Sequence, residues 1–73
     1  MYTTIGGRVY RMYTWETDAV WAYGPEEDGA GVHYVVFDKL ADDSPGSPPR
    51  HHLFSSWEGA LACAREMEEG YKR

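Results

Sequence analysis

The C-terminal segment SSWEGALACAREMEEGY, residues 55–71, constrains the fold of this chain more than any other feature. Its apolar residues recur at spacings of three and four, which is typical of a helix with one apolar stripe. The stripe and its margins consist of Trp57, Ala60, Leu61, Cys63, Ala64, Met67 and Tyr71. We therefore predict an amphipathic helix over residues 55–71. The stripe either packs against the rest of the chain as core or serves as a groove for a partner.

Local signals at both ends of this segment predict where the helix begins and ends. Ser55 and Glu58 have the spacing of a capping box, in which the serine hydroxyl accepts from a free amide and the glutamate reaches back. Gly59 weakens the first turn by roughly 1 kcal/mol relative to Ala, which a closely passing strand would explain. Gly70 is expected to end the helix.

The rest of the chain is predicted to form strands and loops that pack on this helix. Runs rich in β-formers predict strands over residues 8–15, 19–23, 32–40 and 50–54, of which 32–40 has apolar groups on both faces and is expected to be central. A short helix over 19–23 is the alternative to a hairpin there. Residues 1–7 are expected to be a lead-in, and the Gly- and Pro-rich segments 24–31 and 41–49 to be loops. The predicted fold class is α+β: a small antiparallel sheet of three to four strands with one C-terminal helix on one face.

The length of 73 residues predicts a single domain with a small core. Cys63 is the only cysteine, so an internal disulfide is excluded. Such a small core usually needs reinforcement, either from heavy aromatic packing or from oligomerisation. The three Trp, six Tyr and two Phe are consistent with both a compact monomer and a homodimer.

The charge balance limits the classes of partner. Twelve acidic residues against seven basic ones give a net charge of −5, which opposes nucleic-acid coating and suits solubility, a basic protein partner or imitation of nucleic acid. The N-terminal residues contain no apolar run of the length of a signal peptide or membrane span, so a cytoplasmic location is expected.

Catalysis and metal binding have little support in the sequence. The metal-ligand candidates besides carboxylates are His33, His51, His52 and Cys63, and their spacing matches no common zinc motif. His51 and His52 are adjacent on a predicted strand and should point to opposite faces. The chain also has no phosphate-binding glycine loop or nucleophile elbow. We predict a non-enzymatic protein without a cofactor.

Two binding hypotheses remain. In the first, the chain is a protein-binding module, such as a phage-type or accessory inhibitor, that engages a basic partner through its acidic helix face and loops. The residues predicted for this surface are Glu58, Glu66, Glu69, Asp42 and Asp43.

The second hypothesis is a nucleic-acid-binding domain, because arginines and aromatic rings alternate along the predicted sheet and such a sheet can stack bases and hold phosphates. Its predicted residues are Arg8, Arg11, Trp15, Arg50 and His51. The β-β-β-α order also resembles the small arm-type DNA-binding domains of some phage integrases. That resemblance implies DNA binding, although the acidic charge departs from the family.

Overall fold

A computed structural model of the chain describes residues 1–42 and 44–73. Within these ranges it has six strands and one helix, which are β1 (Tyr2–Ile5), β2 (Arg8–Arg11), β3 (Tyr13–Glu16), β4 (Val20–Asp28), β5 (Gly31–Asp38), β6 (His51–Phe54) and α1 (Trp57–Lys72). Strands β1 and β2 form a two-stranded antiparallel sheet, and the other four form an antiparallel sheet in the order β3-β4-β5-β6. The helix packs on the larger sheet, which confirms the predicted α+β fold.

The centre of the larger sheet agrees with the sequence prediction. β5 lies between β4 and β6, as expected of the strand with apolar groups on both faces. Residues 19–23 form the turn end and first part of β4 rather than a short helix, and β4 forms a hairpin with β3. The hydroxyl of Thr17 shapes this hairpin because it accepts from the amides of Ala19 and Val20, at 3.2 and 3.1 Å.

The N-terminal strands differ from the prediction. The strand predicted over residues 8–15 is divided at Met12, so that β2 and β3 belong to different sheets. The lead-in predicted over residues 1–7 is instead strand β1, which pairs with β2 across a turn at Gly6 and Gly7. Both glycines have positive φ angles, 59° and 82°, which a tight hairpin turn requires. Neither alternate set of side chains in residues 8–15 is purely apolar, because the two halves of this run belong to two different sheets.

The loop predicted over residues 24–31 is also wrong, because β4 runs on to Asp28. The strand register shifts between Tyr23 and Glu26, since Pro25 has no amide hydrogen for the ladder. Gly24 allows close packing at this bulge: a Cβ there would lie 2.8 Å from Cδ1 of Tyr34. The β4–β5 turn is confined to residues 29 and 30. Within the predicted loop 41–49, all described residues lie outside helix and strand.

The core between α1 and the sheet is built from small side chains. Val20, Ala22 and Val36 on the sheet and Ala60 and Ala64 on the helix are fully buried. Larger side chains surround them and are only partly buried, namely Trp15, Tyr34, Phe54, Trp57, Cys63 and Met67. The apolar stripe of the helix is therefore mainly core. Small residues at its centre let the helix backbone approach the sheet closely.

Polar contacts join α1 to the end of the sheet near the β3–β4 turn. The Thr17 hydroxyl donates to the carboxylate of Glu68 at 2.6 Å, and Glu68 also lies 3.5 Å from the ammonium group of Lys72. Tyr71 is 44% exposed, and its hydroxyl lies 2.7 Å from both carboxylate oxygens of Asp38. These contacts hold the last turns of the helix against the sheet.

The helix ends differ from the sequence prediction by small shifts. Ser56, not Ser55, is the N-cap, and its hydroxyl accepts from the amide of Gly59 at 3.1 Å. The predicted capping box is therefore wrong, because the third helical position is Gly59, which has no side chain to reach back. Gly59 does face a strand as expected: a Cβ there would lie 3.5 Å from Phe54. Gly70 lies inside the helix, which continues to Lys72.

The cap assignment can be tested with two neighbouring serines. Ser56→Ala should lower the free energy of unfolding by about 1 kcal/mol, because a first-turn amide loses its acceptor. Ser55→Ala should change it much less. Urea denaturation followed by circular dichroism, at one protein concentration, measures both. An equal or larger loss for Ser55→Ala would place the cap one residue earlier.

The tight helix–sheet contact predicts a size limit at its centre. Ala64→Leu should lower the free energy of unfolding by about 1–3 kcal/mol, since the added carbons overpack a fully buried site. Ala62→Leu is the matched control on the exposed side of the helix and should stay within about 0.5 kcal/mol of the parent. Thermal or urea unfolding measures both variants. An equal free energy of unfolding for Ala64→Leu and Ala62→Leu would contradict this packing.

Candidate functional site

The face of the four-stranded sheet opposite α1 carries two cross-strand rows of side chains, and we name it the open face. Directly paired residues of an antiparallel sheet share a face, so the strand register defines both rows. The first row is Glu16, Trp21, Phe37 and His51, and the second is Thr14, Tyr23, Val35 and Leu53. The alternating residues Ala22 and Val36 point to the other side and contact the helix layer. The open face therefore has no helix over it among the described residues.

Apolar and aromatic groups dominate the open face. The rings of Trp21 and Tyr23 lie 4.1 Å apart between centroids, and those of Phe37 and His51 lie 4.8 Å apart. Val35 is only 3% exposed although no helix covers it, so the neighbouring side chains on this face shield it. Trp21 is 36% exposed and Leu53 54% exposed. The result is a continuous apolar surface on one side of the sheet.

A cavity of about 230 Å³ borders the Trp21–Tyr23 pair. The residues that line it are Met12, Tyr13, Thr14, Trp21, Tyr23, Gly24, Pro25 and Glu26. The indole nitrogen of Trp21 donates to the hydroxyl of Thr14 at 3.0 Å, which fixes the ring as one wall. Small-molecule sites usually measure about 300–1,000 Å³, so this cavity has the size for one side chain of a partner.

Charged groups flank the apolar surface at its two ends. At the β4–β5 turn, Glu26 lies near Tyr23, and Asp28 lies 3.3 Å from the imidazole of His33. Burial, with the charge of Glu26 as a smaller cause, raises the pKa of Tyr23 above its usual value. At the opposite end, the Arg50 guanidinium lies 5.1 Å from the centre of the Phe37 ring, next to His51. The end at the β4–β5 turn thus carries two carboxylates, whereas the opposite end carries both signs, because Glu16 lies in the same row as His51 and its carboxylate contacts the ammonium group of Lys39.

The acidic residues predicted to bind a partner do not lie on the open face. Glu58, Glu66 and Glu69 are exposed on the side of α1 that faces away from the sheet. Eight and eleven residues separate the last two from Glu58, so they lie about 12 and 16 Å along the helix axis from it. Asp42 is exposed in the β5–β6 connection and accepts from Ser44, whereas Asp43 lies outside the described residues. The helix carboxylates form a dispersed row rather than a compact site.

The predicted nucleic-acid residues fall into separate groups. Arg8 and Arg11 lie on β2 over the rings of Tyr10 and Tyr13, at 5.8 and 5.4 Å. Arg50 and His51 lie at β6, the edge strand farthest from β3. The first pair therefore belongs to the two-stranded sheet and the second to the four-stranded sheet.

Trp15 occupies a third position, because it packs against the core on the helix side of the sheet. The structure therefore brings together only the Arg50–His51 pair of this set. Sequence reasoning did not select Phe37, Tyr23 or Leu53 as site residues. The alternation along residues 32–40 did show apolar groups on both faces. The presence of only one helix to cover two faces was the signal that one of them would stay uncovered.

Cys63 has the environment of a structural thiol. Burial, and to a smaller extent the nearby charge of Glu66, raises the pKa of the Cys63 thiol above its usual value. Its sulfur lies 3.8 Å from the sulfur of Met67 in the layer around the core. Both causes disfavour the thiolate that a nucleophile requires.

Residues 1–42 and 44–73 contain no cluster of three or more His, Cys, Asp or Glu side chains arranged to hold a metal ion. In the same ranges, no helix has the length and apolar character needed to cross a bilayer.

Comparisons with known proteins do not add a function. No protein-family model matches the chain, no curated protein matches its sequence, and no solved structure matches its fold.

The raised pKa of the Cys63 thiol predicts slow alkylation. The rate of iodoacetamide labelling should rise with pH at a higher midpoint in the folded chain than in urea, because the folded site disfavours the thiolate. Glu66→Gln should lower that midpoint slightly, and Glu69→Gln should leave it unchanged. A folded-state midpoint below that of the unfolded chain would instead indicate an activated thiol.

Proposed function

We propose that this chain is a non-enzymatic protein-binding module that contacts its partner through the open face. The observation that carries the proposal is the aromatic and apolar surface around Trp21, on the side of the sheet where residues 1–42 and 44–73 place no helix. Exposed apolar surfaces of this kind, bordered by polar groups, mark interaction sites in folded proteins. The most exposed members, Trp21 and Leu53, lie on different strands, so the surface spans the sheet.

The composition of the open face supports a protein as the partner. Trp, Tyr and Arg are the residue types that most often dominate binding energy at protein interfaces, and the open face contains Trp21, Tyr23 and Arg50. The cavity beside Trp21 has the volume for one inserted side chain. We therefore expect Trp21 and Tyr23 to anchor the partner.

Charge favours a partner with basic groups near its contact surface. Glu26 and Asp28 border the end of the open face at the β4–β5 turn, and the whole chain carries a net charge of −5. The exposed row of Glu58, Glu66 and Glu69 on the far side of α1 adds to this field. Exposed charges outside a contact mainly change association rates, so we assign the helix row a steering role and the open face the anchoring role.

The nucleic-acid alternative has less support. Arg8 and Arg11 lie on β2 in the two-stranded sheet, Arg50 lies next to β6 of the larger sheet, and Trp15 lies on the opposite face from His51. Nucleic-acid binding is therefore an outcome that the test below separates from protein binding.

Affinity capture with matched variants tests the proposal. The tagged chain is exposed to host lysate and, separately, to an untagged copy of itself, and it should retain a protein partner. The Trp21→Ala variant should retain at least tenfold less of that partner. Trp21 is partly exposed at the surface, so this change removes anchoring area rather than core. The triple change Glu58→Lys, Glu66→Lys and Glu69→Lys should slow association and leave dissociation nearly unchanged in surface plasmon resonance.

The pattern across these variants decides between the surfaces. If the triple helix variant lost binding while Trp21→Ala kept it, the helix row would be the anchoring surface. Retention of nucleic acid alone, lost on Arg8→Ala or Arg50→Ala and steeply weakened by salt, would support the alternative function. Circular dichroism of each variant confirms that the fold is retained.

A further inference from the structure

We infer that the cavity beside Trp21 and Tyr23 receives a basic side chain of the partner protein, whose cationic group contacts the aromatic rings and the carboxylate of Glu26. This inference rests on the proposed function, because it names the kind of side chain that the open face anchors. It follows from the register of β4, the residues that line the cavity and the partners of the nearby charged groups.

The bulge in β4 places Glu26 on the open face. Tyr23 pairs with Val35 of β5. Glu26 pairs with His33, two residues before Val35 on the same strand, so both pairs share one face. Two residues of β4 thus lie opposite a single residue of β5, whereas in a regular strand positions 23 and 26 would point to opposite faces. The bulge therefore brings the carboxylate to the same side of the sheet as the Tyr23 ring.

The cavity of about 230 Å³ combines aromatic rings with this carboxylate. Trp21, Tyr23 and Glu26 all line it, and the centroids of the two rings lie 4.1 Å apart. The hydrogen bond from the indole nitrogen of Trp21 to Thr14 orients the indole through its edge and leaves its π face for other contacts. Aromatic faces attract the charged groups of lysine and arginine, and a carboxylate beside them adds a full negative charge. The cavity therefore suits a cation better than a neutral group of the same size.

The carboxylate of Glu26 is available for such a cation. Glu26 is exposed, and within residues 1–42 and 44–73 it forms no ion pair. The nearby carboxylate of Asp28 differs, because it lies 3.3 Å from the imidazole of His33. The charge of Glu26 already acts on the site, since it is the second cause, after burial, of the raised pKa of Tyr23. A cation in the cavity would neutralise a charge that the described part of the chain leaves uncompensated.

The chain's own arginines lie over other rings. Three arginines contact aromatic rings, and none of those rings is Trp21 or Tyr23. Arg11 is close in sequence to the cavity residues, but its guanidinium lies 5.4 Å from the centre of the Tyr13 ring, which stacks on Trp57 of α1. It is not among the described residues that line the cavity. In the described part of the chain, the two rings of the cavity therefore have no cation over them.

Peptide titration followed by nuclear magnetic resonance tests the inference. The probes are acetylated and amidated Gly-Gly-X-Gly-Gly peptides in which X is lysine, arginine or norleucine, the last having a side chain of nearly the same length as lysine but no charge. At least one of the two cationic peptides should shift the indole resonance of Trp21 and saturate with a dissociation constant on the order of millimolar. The norleucine peptide should bind at least fivefold more weakly.

Matched variants locate the cation. Glu26→Gln should weaken binding of the cationic peptide at least fivefold, because it removes the carboxylate and keeps the shape of the side chain. Glu27→Gln is the matched control: it removes the same charge one residue further along, on the opposite face, and should bind within twofold of the parent. Trp21→Leu should also weaken binding at least fivefold, since leucine keeps an apolar wall without an aromatic face. Equal losses for Glu26→Gln and Glu27→Gln would overturn the site, because they would indicate attraction to the overall charge.

The outcomes separate this inference from the proposed function. Equal binding of the charged and norleucine peptides would overturn the cation site. If the chain nevertheless captures a protein through Trp21, and Glu26→Gln retains as much of it as the parent, the proposed function stands and only the inference fails. If a cationic peptide binds as expected but no protein is retained through Trp21, the cation site stands and the proposed function fails. Circular dichroism of each variant checks that the fold is retained.

Discussion

The close contact between α1 and the four-stranded sheet is the interaction on which the rest of the structure depends. Ala60 and Ala64 lie directly against Val20, Ala22 and Val36, and all five are fully buried. Small side chains at this position bring two backbones together, but each buries little area, so the contact contributes modest hydrophobic free energy. The surrounding aromatic rings and the hydrogen bonds at the last helical turns contribute further stabilisation. A helix this close to the sheet also fixes which face of β4, β5 and β6 is covered.

The position of α1 on one face of the four-stranded sheet determines which side chains lie on the open face. In a strand, successive side chains alternate between faces, so the helix that buries Ala22 leaves Trp21 and Tyr23 on the other side. Because the described part of the chain has one helix for the two faces of this sheet, apolar groups of one face have no helix over them. The acidic row on α1 points away from that surface, so anchoring and electrostatic steering are assigned to opposite sides of the molecule. A partner on the open face would leave the helix row exposed.

The sequence predicted the elements that follow from local residue patterns. It did not predict the features that depend on which strands pair with each other. Helical periodicity located α1, and two-sided apolarity identified β5 as central. The division at Met12 could not be read from the sequence, because β propensity is continuous there and the separation arises from different pairing partners, β1 and β4. Gly24 and Pro25 indicate a turn locally, yet pairing of β4 with β5 keeps the chain extended beyond them. The shift of the cap from Ser55 to Ser56 depends on geometry that two adjacent serines do not distinguish.

The candidate site also depends on strand register, which the sequence alone does not reveal. Trp15 and Trp21 are the same residue type on neighbouring strands, yet the first packs on the core and the second lines the open face. Their difference is one of register: Trp15 pairs with Ala22, and Trp21 pairs with Glu16. A shift by one residue in the β3–β4 pairing would exchange such roles, since it moves a side chain to the opposite face. The hydroxyl of Thr17, which organises the β3–β4 turn, therefore helps determine which indole lies on the open face, although Thr17 is not itself in the two rows of that face.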